Sequence, residues 1–289
     1  MKPSHLARLI MPICHCALAL LAGCSQPRPV GPAPLDSPPP VRGNTQASGT
    51  VSLSPVSRVG ERVRTRKTQT VQETIRGVSV TSRWEETYSQ ETLLVDGLGM
   101  PLHVRRTYER QVMTVTPAGG QTAESPGPLE GCEIELVQRD SGVTVKVVSG
   151  KPPQGALQGL LISGLDVALL PVQGVNVGQR WDIDVNARPA LAGFLSAMGI
   201  SADKNELSAR LIDLKGAIAR VPVDWRVSGK LKDSSVPVSL AVAGELVVDT
   251  STGLTREVRL LGGTRDSGGV TLRQLSFELT REPVAAWYK

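Results

Sequence analysis

From about Val56 onward, apolar residues recur at every second position, a spacing that a strand with one dry and one wet face satisfies and an amphipathic helix does not. Val78, Val80, Trp84 and Tyr88 share one parity, while Ser79, Thr81, Arg83, Glu85 and Thr87 take the other. Val221, Val223, Trp225 and Val227 alternate with Arg220, Pro222, Asp224 and Arg226, and Val238, Leu240, Val242, Leu246 and Val248 continue the pattern. Thr250-Ser251-Thr252-Gly253 then reverses the chain into Leu254 to Leu260, as a hairpin turn does. Runs with one solvated face joined by short turns predict antiparallel pairing. In the last run the apolar parity shifts from Val270 and Leu272 to Leu275, Phe277 and Leu279, which predicts a β-bulge near Arg273 and Gln274.

Two segments carry a helical period instead. Leu191, Phe194, Leu195 and Met198 follow Pro189 and precede Gly199, which predicts a short amphipathic helix. Leu157, Leu160, Leu161 and Leu165 have the same spacing but are interrupted by Gly155, Gly159 and Gly164. The expected fold class is therefore mainly β: a curved antiparallel sheet or incomplete barrel with one or two short helices on its apolar face. A β-sandwich is the alternative. Val59-Gly60-Glu61-Arg62-Val63 and Val177-Gly178-Gln179-Arg180-Trp181 form a faint repeat, as do the Asp96–Gly99 and Asp249–Gly253 turns. Two related half-sheets and chance similarity both fit.

The first residues read differently. Met1 to Arg8 is short and positive, and Leu9 to Leu21 is mostly apolar but too short to span a bilayer as a helix. Leu21-Ala22-Gly23-Cys24 closes that run and resembles the lipobox of bacterial lipoproteins. The resemblance implies cleavage between Gly23 and Cys24 and acylation of Cys24, palmitate being the typical chain. Two or more chains anchor durably where one does not. Ser25, rather than Asp, after the lipidated position implies sorting to the outer membrane, on its periplasmic side. Seven prolines between Pro27 and Pro40 then favour an extended polyproline II tether. The expected organisation is a signal peptide over 1–23, a lipidated tether over 24–55, and one β-rich globular domain over 56–289.

Side chains able to carry chemistry are sparse. Aromatics make up 3% of the 289 residues, too few for a stacking platform, and Lys2 and Arg8 of the signal supply two of the +5 formal charge. No nucleic-acid partner is expected. After signal removal and acylation Cys132 is the lone thiol; its parity with Ile134 and Leu136 points it inward. His103, the one remaining histidine, takes the parity opposite Leu102, Val104 and Tyr108, hence the wet face. Asp182 and Asp184 could serve as paired carboxylates, but Trp181, Ile183 and Val185 hold the inward parity and leave both in water. Ser201-Ala202-Asp203-Lys204 matches the Ser-x-x-Lys spacing without the companion motifs, and Gly97-Leu98-Gly99 reads as a turn. Arg62, Arg64 and Arg66, with Arg58 and Lys67 nearby, make a basic stripe suited to anionic headgroups or to cross-strand acids, with Arg64 expected opposite Glu85.

No catalytic residue, cofactor or metal ligand emerges, and the chain is expected not to be an enzyme. A lipid anchor, a tether and a curved sheet with a helical plug resemble the periplasmic lipoprotein-carrier architecture in a general way. Leu170-Pro171 followed by Val175-Asn176-Val177-Gly178-Gln179-Arg180-Trp181 is similar to a signature of uncharacterised bacterial lipoproteins. Two functions are compatible with these features: a binding module for an apolar, lipid-like ligand, or a structural or assembly accessory that docks an envelope protein, for which the Trp287-Tyr288-Lys289 tail is a candidate contact.

Overall fold

The computed structural model describes residues 49–75, 77–140, 142–232 and 236–284. Gly23 and Cys24, the signal segment, most of the proline-rich stretch and the Trp287-Tyr288-Lys289 tail lie outside the described residues. The first half of the chain supplies strands β1 (Arg62–Ile75), β2 (Val78–Val95), β3 (Pro101–Pro117), β4 (Ala123–Pro126), β5 (Glu133–Arg139) and β6 (Gly142–Ser149). The second supplies β7 (Arg180–Asp182), β8 (Ile200–Arg210), β9 (Asp213–Lys215), β10 (Ile218–Leu231), β11 (Pro237–Asp249), β12 (Leu254–Asp266) and β13 (Thr271–Pro283). All thirteen join one open sheet in the order β6-β5-β3-β2-β1-β13-β12-β11-β10-β8-β7, with β4 paired to β3 and β9 to β10. Every pairing is antiparallel. The incomplete-barrel expectation, rather than the sandwich, describes this sheet.

Chain order explains the topology. The first strands step outward from β1 to the edge at β6, and residues 150–179 carry the chain to the opposite edge at β7. The remaining strands step back until β13 pairs with β1 over Val63↔Pro283 to Glu73↔Arg273. Val59-Gly60 and Val177-Gly178 each deliver the chain into the opening strand of a half, and both glycines have positive φ, +82° and +90°. The two Asp-led turns occupy unequal places, one joining β2 to β3 and the other β11 to β12.

Alternation delivers the core. On β10, Val221, Val223, Trp225 and Val227 are buried; on β11, Val238, Leu240, Val242, Leu246 and Val248 join them. Leu275, Phe277 and Leu279 of β13 meet the same cluster after the parity change. The β12–β13 register shifts between Thr264↔Arg273 and Arg265↔Thr271, leaving Leu272 as the extra residue, beside the predicted bulge. Helix α2 (Pro189–Ala197) starts with Pro189 in its first turn and lays Leu191, Leu195 and Phe194 on this cluster. The Phe194 and Trp225 ring centroids are 5.2 Å apart, and the Trp225 indole N–H donates to Asn205 Oδ1 at 2.7 Å.

One expectation needs correction. No continuous helix runs through Leu157 to Leu165: a 3-10 turn at Gln154–Leu157 is followed by non-helical backbone and then by the single turn α1 (Leu165–Ala168). Gly159 sits at φ +72°, a conformation that ends a right-handed helix. Just before β1, Val51 bridges to Val175 and Leu53 is wholly buried. Gly253 has φ +66°, and a Cβ there would overlap the Ser54 carbonyl, so glycine is required where this segment docks on the β11–β12 turn.

Trp225→Ala empties the centre of the larger core and is expected to cost about 3–5 kcal/mol in urea unfolding, the range for truncating a buried aromatic. Arg226→Ala, on the solvated face one residue away, should stay within about 0.5 kcal/mol of the parent.

Candidate functional site

A second, smaller cluster lies on the inner face of the first half-sheet. Tyr88 of β2, Val104 and Tyr108 of β3, and Ile134 and Leu136 of β5 form its floor, with Val143 and Val145 of β6 at the edge. What covers this floor is not a sheet but a strap: Ala156, Leu157, Leu160 and Ile162 come down onto it from the crossing segment. Among the described residues the backbone-to-backbone hydrogen bonds of the strap from Lys151 to Ser163 stay within it, as in Ala156 N–H to Pro153 O and Gln158 N–H to Gly155 O. Side chains therefore hold it down.

Two inward-facing arginines do so, one buried and one partly buried. Arg106 of β3, 6% exposed, donates from Nη2 to the carbonyls of Leu161 at 2.9 Å and Ile162 at 2.8 Å, and from Nε to Gln90 Oε1 at 2.8 Å. Its guanidinium lies 5.0 Å from the centroid of the Tyr88 ring, and the Tyr88 and Tyr108 centroids are 5.4 Å apart. Burial alone would depress the Arg106 pKa, but Tyr88, Tyr108 and Glu86 outweigh it and hold it above its ordinary value. Arg281 of β13 grips Asp166 at the start of α1 through a bidentate pair, one arm at 3.2 Å; Asp166 is wholly buried. For Arg281 too, desolvation is overcome, here by Asp166, and the pKa rises.

Polar groups continue between the two apolar clusters. Lys67 of β1 faces Glu86 of β2 in register, with Nζ 2.8 Å from Oε2, and the Trp84 indole N–H donates to the same carboxylate. Burial raises the Glu86 pKa, yet Lys67 pulls it net below the ordinary carboxylate value; burial lowers that of Lys67, yet Glu86 lifts it net above. Beside the strap is a cleft of about 60 Å³, lined in part by Thr65, Thr92, Ser163, Thr255 and Arg281. It is far smaller than the roughly 300 Å³ at which small-ligand pockets begin. Tyr108 and Thr255, each 1% exposed, have hydroxyls without a hydrogen-bond partner among the described residues. Burial pushes the Tyr108 phenol up to about 12, the Arg106 cation offsetting part of the rise.

The residues singled out from sequence fall elsewhere. Cys132 is buried just before β5. His103 is on the outer face, its Nε2 3.5 Å from Glu135 Oε2. Asp182 and Asp184 are exposed beside half-buried Trp181 and buried Ile183 and Val185. Ser201 and Lys204 are exposed on strand β8, not one helical turn apart, and Lys204 pairs with Glu206 at 2.7 Å. The Leu170–Trp181 signature closes on itself, the Trp181 indole N–H donating to Leu169 O. Arg64 does not oppose Glu85. The β1–β2 turn pairs Ile75 with Val78, which sets Arg64 against Ser89 and Glu85 against Thr68. Arg64 instead reaches Glu109, while Arg62 meets Glu91 and Arg66 meets Glu282. Arg62, Glu91, Arg105, Glu135 and Lys146 follow one another across β1, β2, β3, β5 and β6 as a ladder of alternating charge. Within it the Arg105 hydrogen bond holds the Glu135 pKa below its ordinary value.

Arg106, Glu86 and Arg281 escaped the sequence reading although a signal was present. Arg106 shares parity with Val104 and Tyr108, Glu86 with Trp84 and Tyr88, and Arg281 with Phe277 and Leu279. A charge in an inward-facing register needs a buried partner. Which partner it finds depends on strands and a strap distant in sequence.

No protein-family model matches the chain, and no curated protein does. Among solved structures it is similar to one of lipid-protein interactions in lipovitellin, with TM-score 0.46 and 6% identity over 80% of this chain. The chain spans about a quarter, 26%, of the length of that protein. DynF of the dynemicin biosynthesis pathway of Micromonospora chersina gives TM-score 0.23 and 8% identity, covering 86% of this chain and 93% of DynF. A DUF1329 family protein from Desulfovibrio piger gives 0.24 and 10%, covering 79% and 88%. At such values function must be read from the geometry of the site.

Asp166→Ala leaves Arg281 partly buried without its counter-ion and is expected to cost about 3–5 kcal/mol, with hydrogen exchange quickening across residues 158–164. Glu86 has a folded pKa below its ordinary 4.5, so its contribution is complete above that value and is lost as pH falls through the lower folded one. Lys67 contributes below 10.5 and ceases to do so as pH rises through its higher folded value. Thermal unfolding across pH should show both limbs, and Glu86→Gln should flatten the acid one.

Proposed function

We propose that this chain is a non-enzymatic lipoprotein of the Gram-negative envelope. Acyl chains on Cys24 hold it at the outer membrane, and the inner face of its first half-sheet binds an apolar, lipid-like ligand. The observation that carries the binding reading is an aliphatic and aromatic trough covered by a strap that, among the described residues, makes no backbone-to-backbone hydrogen bond to it. Leu157, Leu160 and Ile162 occupy the trough side by side, as an acyl chain would. With only about 60 Å³ free beside the strap, a ligand enters by displacing these side chains. The displaced strap loses burial, and a chain of equal apolar area regains it at about 25 cal/mol per Å². The exchange is therefore close to balanced, as reversible loading requires.

A second reading has its own support. Edge strand β6 exposes Val147 at 36% and Val148 at 42% with one side of its backbone unpaired in the sheet. Such an edge can accept a strand from a protein partner. This is the accessory function.

Native mass spectrometry of the full chain, released gently from membranes, separates the two. Bound lipid in excess of the covalent acyl groups is expected under the binding reading. A ligand-free mass together with cross-linking to one defined protein would replace it by the accessory reading. Cys24→Ser is expected to abolish incorporation of labelled palmitate and to shift the protein out of the outer-membrane fraction; unchanged fractionation would overturn the anchor.

A further inference from the structure

Arg106 stands out among the inward-facing cations as the buried one. Lys67 has Glu86, Arg273 has Glu73 at 2.6 Å, and Arg281 has Asp166. The hydrogen-bond partners of Arg106 among the described residues are all neutral: one amide oxygen and two main-chain carbonyls. A guanidinium offers a planar fork of donors matched to two anionic oxygens, and burial with no anion within hydrogen-bond reach among the described residues forgoes its strongest interaction. A second donor waits in the same place. Tyr108 is two residues on along the same face, 1% exposed, and its hydroxyl has no hydrogen-bond partner among the described residues. The Tyr88 ring contacts both residues, which puts the two donors on one wall of the trough.

The strap completes the picture. The carbonyl oxygens of Leu161 and Ile162 are consecutive, and both accept from the same Nη2. Leu160 and Leu157, next upstream in the strap, pack on the same cluster as Ile134 and Leu136. Two oxygens on Arg106 joined to an apolar run are the outline of a long-chain carboxylate. We propose that Arg106 and Tyr108 form the headgroup subsite for an anionic single-chain amphiphile, a fatty acid in its carboxylate form, and that the strap occupies this subsite when no ligand is bound. This rests on the trough being the binding face, and it adds the chemical class of the ligand. The shared chemistry is a terminal anionic oxygen group on one acyl-length chain, so a phosphate monoester competes for the same donors.

The test uses the full chain with oleate, oleyl phosphate and methyl oleate, read by titration calorimetry and by hydrogen exchange of residues 151–164. Oleate is expected to bind about tenfold or more tightly than its methyl ester, the scale of a charge-assisted hydrogen bond, and to speed exchange in the strap. Arg106→Met should abolish the preference for oleate over the ester. Tyr108→Phe removes only a hydroxyl that has no hydrogen-bond partner among the described residues; it should preserve thermal stability yet weaken oleate several-fold, which covers the case in which the Arg106 variant fails to fold. A phosphate monoester that outcompetes oleate and shares its dependence on Arg106 supports the anion subsite and reassigns the headgroup. Equal affinity for acid and ester, or an acid preference that survives both substitutions, overturns the subsite but leaves the trough. If none of the three probes binds, the trough reading itself fails.

Discussion

The pairing of β1 with β13 is the constraint on which the rest depends. These strands lie at opposite ends of the described chain, and their ladder of eleven residue pairs welds two meanders into one sheet. Once the two strands are adjacent, the outermost strands of the halves, β6 and β7, lie at opposite edges, and residues 150–179 must cross from one edge to the other. The crossing segment carries the leucines that fill the trough. A sheet edge-to-edge crossing is thus both a topological necessity and the cover of the candidate site.

The means by which the strap is held follows from what it lacks. A segment with no strand partner and only one short 3-10 turn cannot lock its backbone to the sheet. Long side chains rising from the sheet supply the grip instead, and arginine suits the task because one guanidinium reaches two acceptors. The two clamps differ in kind. Arg281 with Asp166 is a partly buried ion pair, costly to assemble and costly to break. Arg106 with two carbonyls carries a full charge against neutral dipoles, which makes it exchangeable for an anion in a way the other is not.

The outer face shows the opposite economy. Charges there are paired across strands, from Arg62 through Glu91, Arg105 and Glu135 to Lys146. Such pairs are solvated and individually weak, with a median near 0–1 kcal/mol. Their consequence is a wet, mixed-charge surface in place of the basic stripe that the spacing of Arg62, Arg64 and Arg66 suggests when one strand is considered alone.

Much of this was written in the chain. Parity separated the wet residues from the dry ones on β10 and β11, the Thr250–Gly253 segment marked its hairpin, and Pro189 with Gly199 bounded α2, because each of these depends on neighbours within a few residues. The β1–β2 register was not legible: it hangs on one turn, and a shift of four residues moved Arg64 from Glu85 to Ser89. Nor could sequence place Leu157, Leu160 and Ile162 on a sheet rather than in a helix, since a helical spacing beside three glycines is satisfied equally by a strap that a distant arginine holds down. Local patterning decided which side of each strand meets water. Contacts between residues as far apart as Asp166 and Arg281 decided what the dry side encloses, because the energy of a buried charge is set by partners that only the folded chain brings near.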